Sequence, residues 1–173
     1  LGFLCYKMSQ NFTSKNEENL NTNTISPVEE KTSDSPKSSK SSATNESTGV
    51  VTIIDEQTIS GENYTSSNSS ENALLIENGG NVEASDITVT KTGDSSEIMV
   101  AGGGTLTAKN LTIETEGNSS ASIRSDRGGG LLVVDGGTYT TNGTGSPAIY
   151  STADITVSDA TLISTKSEGA VVE

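Results

Sequence analysis

Gly102-Gly103-Gly104-Thr105-Leu106-Thr107-Ala108-Lys109-Asn110-Leu111-Thr112-Ile113-Glu114 is the stretch that decides the fold. Leu106 and Ala108 alternate with polar residues, and Leu111 and Ile113 do so again after one intervening corner. That is the period of a strand with one face inward, not of a helix. The glycine triplet and Asn110 are residue types that accept positive φ, so each marks a sharp turn.

Moving outward in both directions, the same unit returns. Val82, Leu106, Leu132 and Ile155 fall in one column, with Ala84, Ala108, Val134 and Val157 two residues on. A further strand stacks Ile87, Leu111, Gly137 and Ala160, then Val89, Ile113, Tyr139 and Leu162. Ahead of the glycines a first strand is expected, anchored on Leu75, Met99, Ile123, Ile149 and Val171, in steps of 24, 24, 26 and 22 residues. Asp86, Asn110, Gly136 and Asp159 end the second corner, where a left-handed residue is needed. Three short strands per unit of about 24 residues, like stacked on like, predict an all-β right-handed parallel β-helix. Val51-Thr52-Ile53-Ile54 and Thr58-Ile59 are expected to make an irregular first coil or an N-terminal cap. The last strand, near Glu173, is expected to leave an unpaired, uncapped edge, and the natural gene product to continue beyond it.

Composition agrees. Aromatics are 3% of the chain and Trp is absent, so a core of aromatic and Leu clusters is ruled out. A chain this rich in small polar residues either stays disordered or stacks repeats around a thin aliphatic core. Residues 9–48 lack periodicity and contain Lys37-Ser38-Ser39-Lys40-Ser41-Ser42, so they read as a disordered linker. The expected organisation is a signal or anchor remnant at 1–8, the linker at 9–48, and the β-helix at 49–173.

Nearly all of the net charge of −13 falls after residue 48, where 17 acids face 5 bases. Such a surface repels phosphates, which excludes nucleic acid as a partner. Cys5 is the one cysteine, so no intrachain disulfide forms. The opening Leu-Gly-Phe-Leu-Cys reads as the end of a secretion signal, with Cys5 either a lipid-carrying anchor to the cell envelope or an inert remnant.

Gly136 to Val157 and the run Ile123-Arg124-Ser125-Asp126-Arg127-Gly128-Gly129-Gly130 resemble secreted pectate-lyase-like β-helix proteins of gut anaerobic bacteria, a group described as adhesin-like or carbohydrate-binding. The resemblance covers residues 50–173. It implies the right-handed helix and an extracellular, cell-surface location.

If the anchor column points inward, the outward positions of the first strand are Leu74 and Ile76, Ile98 and Val100, Ser122 and Arg124, Ala148 and Tyr150, and Ala170 and Val172. That predicts an apolar stripe, either exposed or covered by other chain, interrupted by Arg124 and Tyr150. The expected binding residues are Arg124 and Tyr150, an aromatic platform beside a hydrogen-bonding fork, with Ile76 and Val100. Asp126, Asp135, Asp154 and Asp159 invite a calcium reading, with Arg124 or Arg127 as a base, but turn chemistry explains them more simply. His is absent, which excludes acyl transfer through a His base and His-ligated metals. The outward threonines Thr88, Thr112, Thr138 and Thr161 are beside Glu114, which breaks any flat ice-binding array.

The sequence thus predicts a surface β-helix module for adhesin-like binding or structural display, not an enzyme. No cofactor, catalytic residue or metal site is expected. The partner is a polysaccharide, mucin or host-surface ligand. The alternative is a fragment of a calcium-dependent polysaccharide lyase or glycoside hydrolase.

Overall fold

The computed structural model describes residues 6–12, 48–95, 97–126 and 128–173, and these contain strands and turns but no helix. They belong to one compact unit; residues 15–46, a second unit, lie outside the described residues. After β1 (Tyr6–Phe12), the first coil is β2 (Thr48–Ile53), β3 (Glu56–Ser60) and β4 (Asn63–Ser66). The second is β5 (Glu71–Ile76), β6 (Asn81–Ser85) and β7 (Thr88–Lys91), and the third is β8 (Ile98–Val100), β9 (Thr105–Lys109) and β10 (Thr112–Thr115). The fourth is β11 (Ile123–Ser125), β12 (Leu131–Asp135) and β13 (Thr138–Thr141). The fifth is β14 (Ile149–Ser151) and the long β15 (Asp154–Ser164), followed by β16 (Ala170–Val172). Every neighbour in the stack is parallel, as the repeat predicts, and the chain is a parallel β-helix of about five coils.

The columns of the second and third strands stand as expected. Val82, Leu106, Leu132 and Ile155 stack, and so do Val89, Ile113, Tyr139 and Leu162. All eight are buried. The first coil is regular, against expectation: Val51 stands under Leu74, Ile59 under Ala84 and Tyr64 under Val89. Corner two also agrees, with Asp86, Asn110, Gly136 and Asp159 at φ of 53°, 55°, 68° and 49°.

The first strand needs a correction. Met99 pairs with Arg124, not Ile123, so the true columns are Leu74, Ile98, Ile123, Ile149 and Leu75, Met99, Arg124, Tyr150, Val171. Corner three accounts for the slip. From Lys91 to Ile98 is one residue shorter than from Thr115 to Ile123, so counting by 24 loses register there. Ala73 to Ile76 is also unbroken apolar sequence and carries no parity of its own. Leu74, Ile76, Ile98 and Val100 therefore face the main core, and the column through Leu75 faces away from it.

The far end matches expectation at β16, the edge strand of its sheet, and departs from it at β15. β1 crosses the boundary expected at residue 8 and pairs antiparallel with β15, from Tyr6 opposite Leu162 to Phe12 opposite Ile155. The β15 edge is thus occupied, while β16 ends the six-stranded sheet. Residues 13–47, the rest of the expected linker, and Cys5 lie outside the described residues.

Corner three is closed by side chains. Ser66, Thr115 and Thr141 each donate a hydroxyl to the backbone carbonyl five residues on, at Glu71, Ser120 and Ser146. The backbones stack here without room for a side chain. A Cβ on Gly117 would strike the Gly93 carbonyl, and one on Gly143 the Gly117 carbonyl. Gly103 differs, because its φ of 76° is the whole constraint and nothing lies within 4 Å of an added Cβ.

Gly117→Ala is therefore expected to cost several times more stability than Gly103→Ala, which should lose only about 1 kcal/mol through backbone strain. Urea denaturation of the full chain reads both. Equal losses would remove backbone contact as the reason for the glycine column.

Candidate functional site

The corrected register brings Arg124 and Tyr150 together as direct neighbours on β11 and β14. Each is flanked by inward residues, Ile123 and Ser125 or Ile149 and Ser151, so alternation turns both side chains outward. The guanidinium carbon of Arg124 is 5.0 Å from the centre of the Tyr150 ring, within cation–π range. Arg124 donates through Nε to Asp126 Oδ2 at 3.1 Å, and through Nη2 to the same oxygen. Tyr150 donates its hydroxyl to Glu173 Oε2 at 3.0 Å. That carboxylate raises the pKa of the Tyr150 phenol.

The result is a half-exposed cluster of one aromatic ring, one planar cation and two carboxylates. Asp126 already compensates the charge of Arg124, so the group as a whole is negative. Arg127 lies outside the described residues.

Ile76 and Val100, expected here, are absent from this face. Both are fully buried in the main core, because the register correction reverses their parity. Nor is there an exposed apolar stripe in coils two and three. Leu75, Met99 and Ala101 form a small buried cluster separate from the core. The four aspartates divide between corners. Asp126 and Asp154 flank corner one, and Asp135 and Asp159 flank corner two, where Asp135 accepts from Ser158 Oγ at 3.1 Å. Among the described residues no three His, Cys, Asp or Glu converge as metal ligands would.

The sequence reading missed a second cluster, inside corner three. Lys91 takes the inward position held by Ser66, Thr115 and Thr141 in the neighbouring coils. It is fully buried, and its Nζ donates to the Asn68 carbonyl at 2.7 Å and to Ser66 Oγ at 3.2 Å. Burial lowers its pKa, opposed by the carboxylates of Glu97, Glu71 and Asp94. Glu97 is also fully buried, and neither carboxyl oxygen has a hydrogen-bond partner. Desolvation raises its pKa to about 8, with Lys91 pulling the other way. Buried Asn72 donates Nδ2 to the Thr48 carbonyl at 2.9 Å and leaves Oδ1 unpaired. The available signal was a lysine in a column of hydroxyls.

Searches against protein-family models, curated proteins and solved structures find no match to this chain.

The Glu97 shift has a consequence for stability. The folded chain holds the Glu97 proton up to about pH 8, whereas the unfolded chain releases it near 4.5. Between those values the native state binds more protons, so stability falls as pH rises, by an amount on the order of a few kcal/mol. The lowered pKa of Lys91 acts in the opposite sense, toward the alkaline end. Denaturation midpoints at pH 5 and pH 8 should differ more for the native sequence than for Glu97→Gln. Equal pH dependence in both would contradict a buried neutral carboxyl.

Proposed function

We propose that the β-helix from Thr48 onward is an extracellular binding or display module, with the Arg124–Tyr150 face as its contact surface. The observation that carries this reading is the placement of an aromatic ring, a guanidinium and two carboxylates side by side on one sheet face. Tyr150 offers a platform for the apolar side of a sugar ring. Asp126, Glu173 and Arg124 offer acceptors and donors for its hydroxyls. The resemblance of residues 50–173 to pectate-lyase-like adhesin-like proteins supports the same reading and suggests a cell-surface setting.

Charge narrows the ligand. The chain carries −13 overall, and the cation of the site is already paired, so acidic polymers gain little attraction here. Neutral polysaccharides and the neutral portions of mucins fit better than pectins. Cleavage belongs to the lyase or hydrolase alternative.

The test is retention of the full chain on immobilised neutral polysaccharides, mucins and pectins with calcium present, with chain cleavage scored alongside. Retention on the neutral polymers without cleavage is expected, weakened on the order of tenfold by Tyr150→Ala, as for loss of an aromatic anchor. Ile76→Val, a change inside the core, should leave retention unchanged. Cleavage of any polymer would replace this reading with the enzymatic one, and retention indifferent to Tyr150 would move the surface elsewhere.

A further inference from the structure

The edge of β15 differs from the other strand edges of the helix. Among the described residues, β3 and β4 end the ten-stranded sheet, and β2 and β16 end the six-stranded one. Those four strands are only 5, 4, 6 and 3 residues long. β15 has 11, because it runs unbroken through corner two and pairs with both β12 and β13. It holds no proline, lysine or arginine, and its charges are Asp154 and Asp159 alone. Ile155, Thr156, Val157, Thr161 and Ile163 are β-branched. A long, weakly charged edge of good strand formers is a template for another strand unless something covers it.

β1 covers it, and it is the one antiparallel strand among the described residues. Its Tyr6, Met8, Gln10 and Phe12 stand opposite Leu162, Ala160, Val157 and Ile155. Antiparallel is also the sense in which an edge meets a copy of itself across a two-fold axis. With Ser158 of one copy opposite Asp159 of the other, Ile155 falls opposite Leu162 and Val157 opposite Ala160. These are the same four positions that β1 takes, and all four belong to the core side of β15. The register thus sets core side against core side, and each copy gives and receives the same contacts.

We propose that β1 guards this edge against a second copy of the chain. While β1 is paired the protein is a monomer; when β1 leaves, two β15 edges join as a dimer. Both strands compete for one row of backbone donors and acceptors. β1 prevails because it belongs to the same chain, which gives it a high effective concentration at the edge.

The experiment measures molar mass by light scattering on the full chain over a range of concentrations, under reducing conditions so that Cys5 cannot link copies. The variant Lys7→Pro with Met8→Pro releases β1. Neighbouring residues of a strand point their N–H groups to opposite sides, so one of the two prolines removes a ladder bond. The unaltered chain should run as a monomer, and the proline variant should double in mass with its strand content kept. Adding Ile163→Glu to that variant should return it to a monomer. In the two-fold register Ile163 lies opposite Asp154, so the change sets like charges face to face twice, and it is outside the stretch paired with β1. A folded proline variant that stays monomeric would overturn the proposal, as would a dimer indifferent to Ile163→Glu or one already present in the unaltered chain. Loss of the strand signal in the proline variant would also overturn it, by making β1 a part of the fold and not a guard.

Discussion

Successive coils are hydrogen-bonded backbone to backbone, and that distance, about 4.8 Å, is the constraint on which everything else rests. It leaves no room for a chain that drifts sideways, so each residue must tolerate the residue above and below. Apolar side chains stack on apolar ones in the Val82 and Val89 columns, and glycine stacks on glycine where carbonyls approach at Gly93, Gly117 and Gly143. Even the exception is compensated inside its own layer. Tyr139, the largest buried side chain, lies beside Gly137, where Ile87 and Leu111 stand in other coils.

The same constraint explains what could be read from the sequence. The second and third strands alternate in most coils, and the corner between them has constant length, which carries the register even through the apolar run Leu131 to Val134. The first strand was harder. Its apolar runs in coils two and three hide their parity, and corner three varies in length between Lys91 and Thr115. Ile76 and Val100 were therefore placed on the wrong face, while Arg124 and Tyr150, whose polar character declares their side, were placed correctly. Their partners Asp126 and Glu173 depend on side-chain reach, which periodicity does not encode. β1 was not legible either, because its partner lies near the opposite end of the chain.

The hydroxyls that close corner three follow one rule, from which the second coil departs. Where a corner carries Ser or Thr, its hydroxyl finds a carbonyl five residues away and the corner closes. Ser125 and Ser151 behave alike in the first-strand column, pairing hydroxyl to hydroxyl at 2.8 Å. Lys91 and Glu97 break the rule by bringing ionisable groups inside, where desolvation lowers the pKa of the amine and raises that of the carboxyl. The outer face works differently. Arg124 and its partner Asp126 stay half in water, so their ion pair adds little to stability.

The antiparallel strand β1 also bears on how the chain reaches this structure. Contacts between neighbouring coils join residues about one repeat apart, so coil can add to coil with modest loop-closure entropy at each step. The pairing of Tyr6 with Leu162 spans nearly the whole chain and has nothing to dock on until the fifth coil exists. Long-range pairing of this kind slows folding. Assembly of the helix should therefore run ahead of β1, which arrives last and closes the chain on itself.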